Sequence, residues 1–216
     1  MTYDIYSALL GFAFVTVITP GPNNLMLMAS GANFGFRRTV PHMLGVGVGF
    51  PLMALMVGIG VMQLFDAWPM SYALLRVGCV VYLLHLAWRI ANAAPPKEAR
   101  TEGKPQNFLQ AAAFQWVNPK AWSMALSAIT LYATGRDLVS VLWVAGTYVL
   151  VAVISTTSWV VLGQQMRRFL NSGLRLRVFN WVMATLLVAS LIPVLWSRDE
   201  RREISHDTRP DLVAYL

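Results

Sequence analysis

Charge is what this chain has least of. Only 12% of its 216 residues are Asp, Glu, Lys or Arg, about half of what a soluble domain carries, while 56% are hydrophobic and mean hydropathy is +0.53. The few charges are bunched at 97–104, 167–177 and 198–211, with long uncharged stretches between. A soluble globular domain is excluded, and the chain reads as a polytopic membrane protein. Cysteine is nearly absent: the single Cys79 excludes an intrachain disulfide and says nothing of the compartment. Carboxylates are missing from the interior of every apolar segment, since Asp4, Asp66 and Asp137 all fall near segment ends. Paired-carboxylate chemistry and a His/Glu metal set, the usual equipment of an intramembrane enzyme, are therefore lacking. One Cys and scattered His do not supply the soft or acidic ligands of a metal-ion exporter either. The net charge of +7 comes without a basic face interleaved with aromatics, so it reads as topological charge beside a membrane and not as a nucleic-acid surface.

What is present is a series of apolar segments near the roughly 20 residues needed to span a bilayer. Six are read: 5–29, 39–64, 70–91, 108–133, 138–163 and 177–197. Only "TGRDL" separates the fourth from the fifth, and the first must tolerate a Pro–Gly break, so five spans is the competing reading. "MTYDIYSALLGF" has no Lys or Arg before an apolar run too long for a signal peptide, and it is read as the start of the first span. Orientation follows from basic residues in short loops. Arg37, Arg38, Lys97, Arg100, Lys104, Arg167, Arg168, Arg175 and Arg177 lie on one side and Arg136 on the other, nine against one. The bias puts the nine in the cytoplasm and both termini outside, although the tail "SRDERREISHDTRPD" adds four arginines and five acids on the outer side. Tyr3, Tyr6, Trp68, Trp88, Trp181 and Trp196 suit interfacial anchors.

The linker "ANAAPPKEARTEGKPQN" divides the chain into a first three-span half (1–92), a linker (93–107), a second three-span half (108–197) and a charged tail (198–216). Three is odd, so the second half starts from the opposite side, and two related halves form an inverted repeat. The first span of each half is broken near its middle, by "TPGPNN" (19–24) in one and "WVNPKAW" (116–122) in the other.

Proline lacks an N–H and releases the carbonyl four residues back: Thr16 for Pro20, Ile18 for Pro22 and Gln115 for Pro119. In lipid each lost bond costs several kcal/mol unless replaced, so irregular backbone belongs in protein or beside a wet cavity. Both breaks also look like helix starts, a capping residue followed by proline: Thr19–Pro20 and Asn118–Pro119. Each would launch a half-helix whose N-terminal N–H groups and dipole favour an anion, while the released carbonyls suit an ammonium. A zwitterion fits such a pair of discontinuous helices, an arrangement found in secondary transporters. The plainer alternative is that the prolines and glycines only shape packing. The expected pathway residues are Thr19, Pro20, Gly21, Pro22, Asn23, Asn24, Asn118, Pro119 and Lys120. Lys120 lies well inside the fourth span, where lysine costs roughly 2.5–3.5 kcal/mol on insertion scales. It has no acidic partner within any span, which leaves water, backbone carbonyls or a substrate carboxylate. Gly45 and Gly49, at small-xxx-small spacing, favour close helix approach, leaving room for the broken span, and are candidate lining residues. Ser155 and Thr156 line the pathway or bond their own helix. His42 and His85 read as satisfied or interfacial. Ser123, one turn after Lys120, is the thin basis of a Ser–Lys enzyme.

At these residues the chain resembles the lysine exporter (LysE/RhtB) family. "TPGPNN", "GVGVG", "YLLHLAWRIA" and "FQWVNPKAW" stand in family order over about residues 5 to 197. The resemblance implies a six-helix carrier of the bacterial cytoplasmic membrane that exports amino acids or their derivatives using the proton gradient. By position, the family motif falls on Pro20, Gly21, Pro22 and Asn23, then on Asn118, Pro119 and Lys120. Where many members carry an acidic residue after the second-span glycines, this chain has Phe50 and Pro51, which argues against a simple carboxylate relay. No enzyme activity and no cofactor is expected. The expected partners are a small amino-acid substrate and the lipid bilayer, with no nucleic acid and homo-oligomerisation left open.

Overall fold

A computed structural model describes residues 2–61, 69–92, 104–133, 137–166, 168–170 and 172–190, and every regular element among them is helical. Linker residues 93–103, Trp68, Arg136, Arg167, Trp196 and the tail 198–216 lie outside the described residues. In chain order the helices are α1 (Tyr3–Ile18), α2 (Pro22–Phe34), α3 (Phe36–Met56), α4 (Pro69–Ala91), α5 (Phe108–Phe114), α6 (Pro119–Tyr132), α7 (Leu138–Met166) and α8 (Gly173–Ala189). A 3₁₀ turn, Gln115–Val117, joins α5 to the second break, and α3 runs into one π turn, Val57–Val61. Each of the six expected apolar segments holds one helix or one broken pair. Among the described residues α3 and α7 are long and apolar enough to cross a membrane, and α1 with α2, bent by 55° at the first break, qualifies as a third crossing.

The packing is organised around α7, which lies along α2, α3 and α1, while α3 also packs on α5 and α4 on α8. Glycine sets how close the backbones come. A Cβ on Gly31 would collide with the Val160 carbonyl, and one on Gly163 with the Met28 carbonyl, so α2 and α7 meet backbone to backbone at two levels. Gly45 and Gly49 do the same for α3 and α5: a Cβ on Gly49 would fall 2.6 Å from the Ala112 Cα. The expected close approach of the "GVGVG" stretch is thus realised, with α5, the helix before the second break, as its partner. Such contacts let dispersion and weak backbone polar interactions hold helices together where no hydrophobic driving force exists between them. On α6, Ala121, Ala125 and Ala128 repeat at helical spacing and face a core shared with Leu9, Met53, Val144 and Tyr148. Leu142, Leu150, Val153, Leu74 and Val81 stand exposed on outer faces, as lipid contact requires.

Several polar side chains inside this bundle pair with one another. Ser30 and Thr39 hydroxyls are 2.9 Å apart, and Asn33 and Asn180 exchange amide hydrogen bonds of 2.8 and 3.2 Å between α2 and α8. Gly35, at φ 79°, is the only residue between α2 and α3, and its left-handed backbone makes that reversal possible.

Candidate functional site

The first break is shifted by two residues from its expected place. Thr19 closes α1, its hydroxyl donating back to the Val15 carbonyl, and α2 starts at Pro22 with Gly21 as N-cap. Thr19 thus spends its side chain on the helix it ends and is not the cap of the helix that follows. The backbone at Gly21 is extended (φ −172°), which any residue adopts, so glycine is there for room: a Cβ would lie 2.7 Å from Lys120 Cδ. No side chain caps α2, so the N–H groups of its first turn have no capping partner.

Second-break geometry follows expectation. Asn118 caps α6, its Oδ1 accepting from the Lys120 N–H at 3.2 Å, and Pro119 occupies the first turn. The Gln115 carbonyl, released by Pro119, accepts from the Asn118 N–H at 3.3 Å.

The carbonyls at the first break are mostly taken up by the protein itself. Val17 O accepts from Asn24 Nδ2 (2.7 Å) and Ser155 Oγ (3.1 Å), and Ile18 O from Trp159 Nε1 (3.2 Å). Thr19 O accepts from Asn24 Nδ2 (2.9 Å) and from the Lys120 ammonium (2.6 Å). The expectation that released carbonyls await a substrate ammonium is corrected in part here: a bare buried carbonyl is costly, and nearby donors have removed that cost.

Both breaks border one cavity of about 40 Å³. Gly21, Asn23 and Asn24 line it from the first break, and Asn118, Lys120 and Ala121 from the second. Thr16, Val17, Val46, Phe50, Met124, Ala152 and Thr156 complete the wall. Thr19, Pro20, Pro22 and Pro119 shape the backbone without lining the cavity, and Thr19 and Pro20 are exposed. Gly45 and Gly49 are packing positions, with their neighbours Val46 and Phe50 on the wall instead. Ser155 bonds Val17 O, while Thr156 lines the cavity and back-bonds to Ala152 O at 2.8 Å.

Three residues outside the expected set, Gln115, Trp159 and Phe50, also carry the site. Gln115 and Asn23 exchange amide bonds of 2.8 and 3.2 Å, locking α2 to the second break. A glutamine four residues before Pro119 in an apolar segment was the available signal. Trp159, closing "STTSW", and Phe50, edge-on to Tyr148 at 4.8 Å between ring centroids, gave no local sign.

Two half-helix N-termini and one ammonium, with donors to spare, converge on a small apolar-walled space. Of three ammonium hydrogens on Lys120 one goes to Thr19 O, and no carboxylate pairs with it among the described residues. Ser123 donates to Pro119 O at 3.1 Å and is exposed, so its hydroxyl serves α6 and no Ser–Lys pair forms. Among the described residues no three His, Cys, Asp or Glu side chains stand together as a metal would require.

The model of the LysE type translocator family matches residues 14–191. The chain is 30% identical over 200 residues to the cysteine/O-acetylserine efflux proteins of Escherichia coli (strain K12) and Shigella sonnei (strain Ss046), an alignment covering 91% of this chain and 100% of theirs. The protein of the same description from Escherichia coli O139:H28 aligns to the same extent. No solved structure matches the chain.

Proposed function

The chain belongs to the LysE type translocator family, and from that premise we propose that it is a secondary transporter exporting a small neutral amino acid, of the cysteine or O-acetylserine kind, across the bacterial cytoplasmic membrane. The observation that carries the site is the Lys120 ammonium, 2.6 Å from the Thr19 carbonyl, in a cavity that both broken spans wall. The substrate carboxylate binds Lys120 and the amides opening α2 and α6, where ammonium and dipoles act together. Its ammonium turns to the side-chain oxygens of Thr16, Asn24 and Thr156. Val46, Phe50, Met124 and Ala152 leave an apolar slot for a short side chain.

A cavity of about 40 Å³ holds a few waters and is far too small for an amino acid, so loading widens it. The two inverted three-span halves supply that change by bending at their breaks, while α2 and α7, interlocked across the halves, move together. Support for such an inverted repeat comes from the packing: α3 contacts the broken span of the second half, α7 contacts that of the first, and α4 pairs with α8. The proton gradient drives the cycle, and the loop bias puts both termini outside. Reporter fusions at each terminus test the orientation, and one internal reading removes it.

The deciding experiment is efflux from loaded cells across a panel of labelled amino acids, with and without an uncoupler. Selective, uncoupler-sensitive efflux of cysteine or O-acetylserine is the expected result. Efflux unchanged from cells lacking the protein overturns the proposal.

A further inference from the structure

Helix α2 walls a second cavity, of about 70 Å³, at its other end. Ser30 and Asn33 of α2, His42 of α3, Arg89 at the end of α4, and Lys104 and Gln106 before α5 contribute its polar wall. Ser30 and Asn33 are satisfied by Thr39 and Asn180. His42 is not, and Gln106 is only in part, its Nε2 donating to the Tyr82 hydroxyl at 3.2 Å. His42 is 1% exposed and Gln106 7%, yet both imidazole nitrogens and the Gln106 Oε1 lack a partner. Buried polar atoms without partners are uncommon and point to a water or ligand that completes them.

The two cations of this wall complement that deficit. Arg89 spends one bond, Nη2 to the Lys104 carbonyl at 3.3 Å, leaving most of its fork available. No carboxylate belongs to the described wall. A guanidinium and an ammonium beside an unpaired amide oxygen and imidazole offer opposite ends to a molecule carrying both a carboxylate and an ammonium. The cavity opens where α2 meets α3 and where α4 ends, the side of Arg37 and Arg38 that the loop bias assigns to the cytoplasm.

We propose that this cavity is a second, entry-side binding site for the exported amino acid, with Arg89 and Lys104 taking the carboxylate and Gln106 and His42 the ammonium end. It rests on the export reading above. Asn23 and Asn33 are ten residues apart on α2, so the two sites lie roughly 15 Å from each other along one shared helix. Asn23, which Gln115 holds, is on the wall of the central cavity, and Met26, one turn on, is on the wall of this one. Substrate moves from this cytoplasm-side cavity to the central one past Met26 and Asn23.

Inside-out vesicles, taking up labelled cysteine and O-acetylserine over a range of concentrations, test the proposal. Replacing both cations, Arg89→Gln with Lys104→Gln, is expected to raise the half-saturating concentration about tenfold while leaving the maximal rate within about twofold, because a bond to a charged group is lost only at entry. Arg89→Lys alone should restore most of the affinity. His42→Phe, which fills the cavity without removing a cation, should raise the same constant and guards against a misfolded double variant. Lys120→Ala should instead abolish the maximal rate. Unchanged half-saturation in the cation and His42 variants, with Lys120→Ala inactive, overturns the entry site alone. Normal transport by Lys120→Ala overturns the central site on which it rests. An equal rise on Arg37→Gln, which lies off this wall, marks a surface-charge effect and overturns the entry site too.

Discussion

Asn23 and Gln115 hold one another by both amide bonds, at 2.8 and 3.2 Å, across 92 residues of sequence. Gln115 also donates to Ala111 O at 2.8 Å, so the pair is anchored in the helix before the second break. Removing one partner leaves buried amide groups unmatched, which costs about 1–3 kcal/mol, whereas replacing both with apolar groups is closer to neutral. Gln115→Leu should therefore lower the thermal unfolding midpoint of the purified protein. The double variant Asn23→Leu, Gln115→Leu should recover most of that loss but not transport, because Asn23 lines the cavity. Additive destabilisation in the double-mutant cycle would show that the pair is not a coupled unit.

Lys120→Ala is expected to abolish export while protein levels in the membrane stay normal. A lysine within a span costs roughly 2.5–3.5 kcal/mol on insertion, so its removal eases assembly if anything. The bond it gives up, to Thr19 O, leaves that carbonyl with its Asn24 partner at 2.9 Å. Immunoblotting beside labelled efflux separates the two effects. Export near the unmodified rate makes the ammonium a structural clasp.

Straightening the first break by Pro20→Ala, Gly21→Ala and Pro22→Ala should give a better helix and a worse carrier. Alanine favours helix by about 1 kcal/mol over glycine and about 3 over proline. The new Cβ at position 21 meets only the flexible Lys120 chain, at 2.7 Å, which can shift. Circular dichroism should show unchanged or higher helicity, with efflux largely lost. Normal efflux, together with decarboxylated analogues competing as well as the amino acid, makes the breaks packing devices.

Gly163→Ala and Gly146→Ala, both on α7, should part company. The first drives a methyl into the Met28 backbone, and overpacking of that kind costs about 1–3 kcal/mol or more. The second meets nothing within 4 Å and should be neutral or slightly stabilising. Thermal unfolding of the two purified variants checks this, and equal midpoints would mean that α2 and α7 are not held at van der Waals contact.

What could be seen in the sequence was what depends on a single residue's own chemistry. Proline without its N–H marked both breaks, Asn118–Pro119 marked a helix start, and Lys120 was conspicuous because a lysine is costly at that depth. Partnerships were not visible. Thr19–Pro20 and Gly21–Pro22 are equally good helix starts on paper. The choice between them is made by the Thr19 hydroxyl turning back to Val15 and by the crowding of Lys120 against position 21. Trp159 reaches Ile18 O over 141 residues, a contact that no local pattern encodes. "GVGVG" announced a close approach without naming α5 as its partner, and the isolated Gly31 and Gly163, at the tightest crossing, carried no motif at all.

That crossing constrains how the molecule changes shape. Gly31 on Val160 and Gly163 on Met28 interlock two main chains at points about one turn apart, with no side chain between to act as a lubricant. Helices geared in this way slip only by a full tooth, so α2 and α7 travel as one strut. The compliance lies at the strut's ends, in the 55° elbow at Thr19–Gly21 and in the single pivot at Gly35. Both cavities touch that strut, so a swing that enlarges one acts on the other through the same rigid lever.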